Sequence, residues 1–229
     1  MRYGSIPAGG LGLRLQPLGF SKELAPVAGR AAIEYLLERM VKAGIDKIFV
    51  NVAEDKTDLV RYLSAKSPYV RNLVFTVLPR EGLMEGIVAP APFLRPDDVL
   101  YFGLPDTIWY PVDGFHQLDS YKSKLVLGLF DTGTPDRFDS VATDNKDKIT
   151  SIEVKVEKPK SDWTWGIGKL TVSEVPLLRQ ADKKLFGEAM NTYIQDHSAY
   201  AVKLDSSHYL DIGILSDYQE AEEFVRSHS

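Results

Sequence analysis

The stretch that decides the fold lies near the start of the sequence and runs Tyr3-Gly4-Ser5-Ile6-Pro7-Ala8-Gly9-Gly10-Leu11-Gly12-Leu13-Arg14. Tyr3 to Ala8 predicts a short buried strand, and three glycines within four residues follow it. Because glycine has no Cβ, such a loop can turn tightly and bring backbone N–H groups close to an anion. Arg14 and Lys22 add positive charge nearby. The pattern favours phosphate binding over its alternative, a purely structural turn.

Two common nucleotide-binding motifs do not fit this loop. The P-loop motif requires Gly-Lys-Ser/Thr, and the sequence has Gly12-Leu13-Arg14 instead. The dinucleotide-binding motif requires G-x-G-x-x-G and an acidic residue that closes the second strand about 20 residues later. The first candidate for that residue, Glu54, lies much further along the chain. Any phosphate site here therefore belongs to another class.

The composition is that of an ordinary globular protein. The chain has 229 residues, of which 44% are hydrophobic and 26% charged, with a net charge of −5 and no cysteine. The absence of cysteine excludes disulfides, thiolate nucleophiles and cysteine zinc sites. The negative charge argues against a nucleic-acid partner, and no apolar run is long enough to span a bilayer. With no recognisable export signal, we expect a cytoplasmic protein.

Apolar periodicity predicts alternating strands and helices over the first half of the chain. Such alternation indicates a layered α/β fold with a mostly parallel sheet and right-handed crossovers. The strands are expected at 3–8, 47–52, 73–78 and 99–102, and the helices at 31–43, 57–66 and 82–94, the last with an irregular end because of Pro90 and Pro92.

The second half predicts a more antiparallel section. A helix at 115–123 and a strand at 124–130 precede strand-like segments at 138–143, 149–156 and 165–172. Further elements are expected at 175–180, 185–196, 199–204 and 208–210. A closing helix at 216–227 is predicted to be capped by Ser216. We find no hexapeptide repeat, and so expect no C-terminal β-helix.

Two aspartates follow predicted strands. Asp106 comes just after the apolar strand 99–102, and Asp211 ends the short strand near 208–210. Ligands of open α/β sheets bind beyond the carboxyl ends of strands, and Mg²⁺ prefers carboxylate and phosphate oxygens. A turn-forming aspartate is an equally good interpretation for Asp106, and the better one for Asp211 taken alone.

A third charged segment, Glu157-Lys158-Pro159, follows the predicted strand 149–156. Lys158 could contact a phosphate and Glu157 a hydroxyl. Because Glu153, Lys155 and Lys160 make the whole region charged, an ordinary solvated pair is the favoured interpretation from the residues alone.

Taken together, these segments resemble the sugar-1-phosphate nucleotidylyltransferases, the enzymes that make nucleotide sugars. Residues 6–18 are similar to the signature loop of that family, and 21–27 to its second part. Residues 82–86 are similar to a base-proximal segment of the thymidylyl and uridylyl members. The two metal-binding segments of the family resemble Leu104-Pro105-Asp106 and Leu210-Asp211-Ile212-Gly213. Its sugar-phosphate segment resembles Val156-Glu157-Lys158-Pro159.

The resemblance implies a single Rossmann-like nucleotidyltransferase domain over 1–229, with a nucleotide-binding half (1–110) and a sugar-phosphate-binding half (111–229) that contains the antiparallel section. A sugar 1-phosphate would attack the α-phosphorus of a nucleoside triphosphate in line, and pyrophosphate would leave. Mg²⁺ would lie between Asp106 and Asp211. The remaining roles would fall to Arg14 and Lys22 at the phosphates, Ala8, Gly9, Gly10, Gly12, Glu85 and Gly86 at the nucleotide, and Glu157, Lys158 and Asp139 at the sugar phosphate.

Several residues depart from the family pattern. Leu13 replaces a hydroxyl residue of the phosphate loop, Asp139 replaces a glycine that touches the sugar, and Ile214 replaces a threonine after the second aspartate. Glu85 replaces an amide that many thymidylyl members direct at the base, and a carboxylate cannot donate. We expect dTTP or UTP as the nucleotide and a possible homo-oligomer. The alternative is a non-catalytic nucleotide-sugar-binding regulatory protein.

Overall fold

The computed structural model describes residues 1–12, 19–204 and 208–227. The strands in this part of the chain are β1 (Arg2–Ala8), β2 (Pro26–Val27), β3 (Arg30–Ala31), β4 (Lys47–Val52), β5 (Leu73–Val77), β6 (Val99–Gly103), β7 (Thr107–Tyr110), β8 (Leu125–Asp131), β9 (Asp139–Thr143), β10 (Ile149–Val154), β11 (Trp163–Thr171), β12 (Tyr200–Lys203) and β13 (His208–Asp211). The α-helices are α1 (Ala32–Lys42), α2 (Thr57–Lys66), α3 (Leu83–Val88), α4 (Gly114–Gln117), α5 (Val175–Gln180), α6 (Phe186–Asp196) and α7 (Leu215–Ser227).

The first half forms the parallel part of one large sheet. Its strands lie in the order β5-β4-β1-β6, and each neighbouring pair is parallel. β1 therefore lies between β4 and β6, with Ile6 opposite Val50 and Gly4 opposite Tyr101. This arrangement confirms the predicted α/β architecture, and it sends the glycine loop out from the middle of the sheet.

Strand β11 joins the two halves of the sheet. Residues Ile167 to Thr171 pair antiparallel with β6, and Trp163 to Leu170 pair antiparallel with β8. Thr164 also pairs with Ser140 of β9, beyond which lies β10. β12 adds to the other side of β8. The predicted antiparallel section is thus confirmed as a continuation of the same sheet.

Apolar side chains cover both faces of this sheet. One core cluster contains residues of α1 and α2, among them Leu36, Met40 and Leu63. The other contains residues of α3, α5 and α6, among them Ile87 and Phe186. β6 contributes to both, because Tyr101 and its neighbours Leu100 and Phe102 point to opposite faces. The sheet is therefore the middle layer of three.

Two small antiparallel sheets lie beside the large one, and neither was predicted. β2 and β3 form a hairpin through Ala28 and Gly29, which have φ values of 47° and 81°. β7 pairs with β13, about a hundred residues later in the chain. A third core cluster packs this second pair against α1 and α7.

The helix predicted at 115–123 is wrong in its length. The α-helix ends at Gln117 and a 3-10 turn covers Leu118–Ser120, after which Tyr121 is extended. The cause is tertiary, because Asp119 accepts hydrogen bonds from Arg2 (2.7 Å), Tyr101 (2.7 Å) and Lys169 (3.0 Å), all on strands of the sheet. The irregular end predicted near Pro90 is confirmed by a 3-10 turn at Ala91–Phe93.

The predicted cap of the closing helix is also wrong. α7 begins at Leu215, so Ser216 lies inside its first turn and its hydroxyl bonds to Asp217 at 3.1 Å. Among the described residues, no helix combines the length and apolar character needed to cross a bilayer.

Candidate functional site

A cavity of about 890 Å³ opens at the carboxyl ends of the parallel strands. Segments that follow β1, β4, β5 and β6 form one part of its wall, and residues of the second half form the other. Its charged lining residues are Lys22, Arg80, Arg137, Lys155 and Arg179, with Glu23, Glu81, Glu85, Asp106, Asp139 and Asp211. A cavity of this size and polarity suits a polar ligand with several charged groups.

The Lys22 side chain packs against the glycine segment. A Cβ on Gly12 would come within 3.2 Å of the Lys22 side-chain carbons, and Gly12 has a φ of +64°. The positive φ therefore favours glycine there, and a Cβ would also require the Lys22 side chain to shift by a few tenths of an ångström. A Cβ on Gly10 would lie 3.9 Å from Lys22 Nζ, so the lysine side chain runs along the loop.

The turn that carries Lys22 is fixed by residues just before and within α2. Asp58 accepts hydrogen bonds from the backbone N–H (2.6 Å) and hydroxyl (2.7 Å) of Ser21. Lys56 donates to both carboxylate oxygens of Glu23, at 2.8 and 3.1 Å, and both side chains are buried. Breaking a buried pair of this kind is costly, so the turn is held rigidly on both sides of Lys22.

Lys22 forms an ion pair with Asp106. Burial acts to lower the pKa of Lys22, but the charges of Asp106, Glu23 and Asp211 outweigh it and leave the pKa raised. Lys22 is therefore a fixed positive charge at neutral pH. The side chains of Lys22 and Asp106 are only 18% and 14% exposed, which limits solvent screening of the pair.

The two predicted metal ligands are brought together by the pairing of β7 with β13. Asp211 lies opposite Thr107, the neighbour of Asp106, and the Ile212 N–H donates to the Asp106 carbonyl at 3.0 Å. Both aspartates line the cavity. One oxygen of Asp211 also accepts the Gly213 N–H at 2.7 Å, which fixes that carboxylate.

The carboxylates of Asp106 and Asp211 fit a hard divalent cation that takes its remaining ligands from the substrate and from water. In the described part of the chain, no three His, Cys, Asp or Glu side chains come together as a metal cage. Two carboxylates are nevertheless the usual protein contribution to Mg²⁺, which completes its shell with phosphate oxygens and water. The ion pair with Lys22 keeps the Asp106 carboxylate in the cavity wall, where it can serve as such a ligand.

Gly9 and Gly10 line the cavity, whereas Ala8 is fully buried at the end of β1. The Gly9 carbonyl accepts a hydrogen bond from Arg80 Nε at 2.9 Å, and Arg80 also pairs with Asp55. Arg80 thus connects the loop to the segment after β4. Leu13 and Arg14 lie outside the described residues.

Helix α3 places Glu85 and Gly86 in the cavity wall. A Cβ on Gly86 would lie 3.0 Å from that of Pro7, so α3 packs closely on β1. Asn51 donates to the Gly86 carbonyl (2.8 Å), and the Ser5 hydroxyl donates to the Ile87 carbonyl (2.6 Å). These buried bonds from β4 and β1 fix the orientation of the helix that carries Glu85.

The opposite part of the wall contains Asp139, Lys155 and Trp165. Burial raises the pKa of Asp139, and the Trp165 indole N–H at 3.4 Å and the Lys155 charge offset this only in part. A partly desolvated acceptor beside an aromatic ring is suited to contact a sugar hydroxyl.

Arg137 links this region to α7 by its ion pair with Asp217. Hydrogen bonding to Asp217 raises the pKa of Arg137, burial opposes the rise, and Asp211 adds to it. Arg137 therefore lies within electrostatic reach of Asp211. The sequence analysis did not identify it.

The structure does not bring Glu157 and Lys158 to the cavity, since both lie on the segment after β10 and neither lines its wall. Lys155 lines it instead, as the first residue after that strand, where its φ is 47°. The sequence analysis missed Lys155 as a site residue, because the strand predicted at 149–156 placed it inside the strand, whereas β10 ends at Val154.

The family model for nucleotidyl transferases matches residues 4–228 of this chain. A glucose-1-phosphate thymidylyltransferase from Neisseria gonorrhoeae is 31% identical over 239 residues, which cover 98% of this chain and 82% of that protein. A D-glycero-alpha-D-manno-heptose 1-phosphate guanylyltransferase from Campylobacter jejuni is 26% identical over 217 residues, covering 93% and 95%.

The fold is also that of a solved structure, the UTP-bound UGPase from Acinetobacter baumannii. The TM-score is 0.80 with 16% identity, and the match covers 100% of this chain and 94% of that one.

Proposed function

Because this chain belongs to the sugar-1-phosphate nucleotidylyltransferases of the nucleotidyl transferase family, we propose that it joins a sugar 1-phosphate to dTTP or UTP and releases pyrophosphate. The observation that carries the proposal is the meeting of Lys22, Asp106 and Asp211 at one point of the cavity. Such a reaction needs no protein nucleophile, because positioning and charge stabilisation are sufficient.

The triphosphate lies along the glycine loop in this proposal. The loop segment at Gly9 and Gly10 offers its backbone to the phosphates, and the side chain of Lys22 runs beside it. Lys22 is cationic at neutral pH and so neutralises charge at the reacting phosphate. Arg14 keeps the role that the sequence implies for it, stabilisation of the leaving pyrophosphate.

Asp106 and Asp211 would hold Mg²⁺, which when bound supplies positive charge at the reacting phosphates. With Asp106 engaged as a metal ligand, Lys22 would be free to bind phosphate in place of this carboxylate. The pairing of β7 with β13 keeps Asp106 and Asp211 close together.

The sugar 1-phosphate lies towards Asp139 and Lys155. Lys155 contacts the sugar phosphate and so takes the role that the sequence analysis assigned to Lys158. Asp139 accepts a hydrogen bond from a sugar hydroxyl, and Trp165 packs beside the ring. The position of Lys155 in the cavity wall, which Glu157 and Lys158 do not line, supports this reassignment.

The base lies at the other end, beside Glu85 and Gly86. We favour dTTP or UTP because the relative at 31% identity is a thymidylyltransferase. The guanylyltransferase relative makes GTP the triphosphate to compare with them.

Pyrophosphate release with Mg²⁺ tests the function directly. We expect turnover with dTTP or UTP in a panel of triphosphates and sugar 1-phosphates. If every triphosphate that binds fails to turn over with every sugar 1-phosphate, the protein is a regulatory nucleotide-sugar-binding protein instead.

Asp106→Asn tests the metal assignment. Removing the carboxylate charge should lower kcat at least about a hundredfold, since losses of this size follow the removal of one charge-stabilising group. Far-UV circular dichroism should stay unchanged. The matched control is Asp97→Asn, an exposed aspartate outside the cavity, which should keep wild-type turnover. Wild-type rates in Asp106→Asn would contradict the assignment.

A further inference from the structure

Glu85 poses a chemical problem at the base end of the cavity. A carboxylate accepts hydrogen bonds but donates none, and it repels the carbonyl oxygens of a base. The imide edge of uracil or thymine presents one N–H between two such oxygens. A lone Glu85 could meet the N–H only by placing its negative charge beside a carbonyl oxygen.

Arg179 changes the character of this carboxylate. Its Nε donates to both Glu85 oxygens, at 3.0 and 3.2 Å, and its Nη2 donates to Oε2 at 2.7 Å. Arg179 lies on α5, and Glu85 on α3. Both side chains line the cavity, with exposed fractions of 40% and 33%. The two groups therefore form one planar unit at the cavity wall.

This unit has hydrogen-bonding capacity left over. A guanidinium carries five N–H donors, and the bonds to Glu85 use its Nε–H and one N–H of Nη2. Within the described ranges, the Nη1 amino group and the second N–H of Nη2 have no hydrogen-bond acceptor, and Glu85 retains lone pairs that its bonds to Arg179 do not use. An acceptor and a donor thus lie side by side, as they do in a carboxamide.

We propose that Arg179 is a base-binding residue, and that Glu85 and Arg179 together replace an amide that reads the N–H and carbonyl of a base. Glu85 accepts the ring N–H and Arg179 donates to the adjacent carbonyl oxygen. The proposal rests on the proposed function only in placing the base at this end of the cavity.

The pair selects a chemical class of base. Uracil, thymine and guanine each present a ring N–H beside a carbonyl oxygen. Adenine and cytosine present the reverse order, an acceptor ring nitrogen beside an amino donor. With the ribose held in one position, the amino bases would place a donor against Arg179 and an acceptor against Glu85. Each such mismatch typically costs about tenfold or more in discrimination.

The framework behind the pair supports a recognition role. α3 is fixed by the hydrogen bonds from Asn51 and Ser5, and its first turn is held by the Met84 N–H, which donates to the Lys184 carbonyl at 3.1 Å. Lys184 follows α5 closely in the chain, so the elements that carry Glu85 and Arg179 are tied together. Groups held this way keep the geometry that selection requires.

The test is a double-mutant cycle on the affinity of triphosphates, measured by titration calorimetry with no sugar phosphate present. Arg179→Met leaves the carboxylate alone against the base carbonyl, so the Kd for UTP and dTTP should rise about 10- to 100-fold. Glu85→Gln supplies its own donor and acceptor, so its Kd should stay within about threefold of wild type. Adding Glu85→Gln to Arg179→Met should restore most of the lost affinity.

The controls separate this proposal from the function itself. Arg61→Met removes an exposed arginine of α2 outside the cavity and should leave the Kd unchanged. An unchanged Kd in Arg179→Met, no rescue in the double variant, or tighter binding of ATP or CTP than of UTP would each overturn the proposal. The Kd values for UTP could follow the expected double-mutant cycle while the protein releases no pyrophosphate with any sugar 1-phosphate. That result would contradict the proposed activity and leave base selection by Arg179 established.

Discussion

At the scale of single residues, Lys22 shows how the glycine loop and a cation are placed side by side. The loop is predicted to bind phosphate because glycine lets backbone N–H groups approach a ligand. The structure adds a second reason, since the space that a Cβ on Gly12 would need lies against the Lys22 side chain. The same glycine therefore serves both the loop backbone and the position of the cation.

Comparing Gly12→Ala with Gly19→Ala separates the effect of backbone conformation from the effect of the contact with Lys22. Both glycines have positive φ, +64° and +70°, but a Cβ on Gly19 would meet none of the described residues within 4 Å. Each variant should lose about 1 kcal/mol of unfolding free energy from backbone strain. Only Gly12→Ala should also displace Lys22, with a further loss of about 1 kcal/mol and a raised KM for triphosphate.

Chemical denaturation and steady-state kinetics measure the two effects. Equal stabilities and equal KM values in the two alanine variants would show that the Lys22 contact has no functional role.

The sequence predicted residues whose signal is local and missed those whose signal is tertiary. Asp106 and Asp211 each follow a strand, so a simple rule for parallel sheets identifies them as candidates. Arg179 lies on a helix whose apolar spacing says only that it packs, and nothing local indicates that it faces Glu85. Arg137 is likewise positioned by its partner Asp217, 80 residues later.

At the scale of secondary-structure elements, apolar periodicity was sufficient to predict the bounds of elements that pack on one layer of the fold. The bounds of β4, α2 and α5 agree with the prediction to the residue. β7 and its pairing with β13 could not be predicted, because four residues carry too little pattern and their partner lies about a hundred residues away. The error at 115–123 has the same origin, since three strands supply the donors that bind Asp119.

Glu174 connects three elements, because its carboxylate links the 3-10 turn after β11 to α6 and to the segment before β8 by hydrogen bonds. It accepts hydrogen bonds from Lys124 (2.9 Å), Tyr193 (2.8 Å) and Ser173 (3.0 Å). Burial acts to raise the pKa of Glu174, but these donors outweigh it and hold the pKa below its ordinary value of 4.5. The carboxylate therefore stabilises the fold above the pH at which it titrates in the unfolded chain.

Glu174→Gln should accordingly lower the free energy of unfolding by about 1 to 3 kcal/mol at pH 7. The difference from wild type should narrow as the pH falls below 4.5 and through the depressed pKa of the folded state, because the wild-type carboxylate is then protonated as well. Urea denaturation at several pH values measures it. Glu157→Gln, an exposed control, should show no such difference, and a gap that persisted at low pH would contradict the linkage.

At the scale of the whole molecule, residues 1–110 and 111–229 contribute strands to one large sheet. β6 belongs to the first half, and five residues of β11 from the second half pair with it. β7 and β13 repeat this connection in the smaller sheet. That the chain is a single domain remains a prediction, and these pairings give it a physical basis.

Calorimetry tests this prediction. We expect one cooperative unfolding transition, with the calorimetric enthalpy equal to the van't Hoff enthalpy. Near-ultraviolet and far-ultraviolet circular dichroism should give the same Tm. Two resolved transitions would show instead that 1–110 and 111–229 unfold independently.

The shared strand β11 has a consequence for how such proteins can diversify. Exchanging one half between two homologues would create a new β6–β11 seam, with side chains that had never been selected to pack together. Gly168 of β11 illustrates the constraint, because a Cβ there would come within 2.3 Å of the Phe102 ring on β6. Substrate range in this lineage is therefore expected to change through cavity-lining side chains, with the halves inherited together.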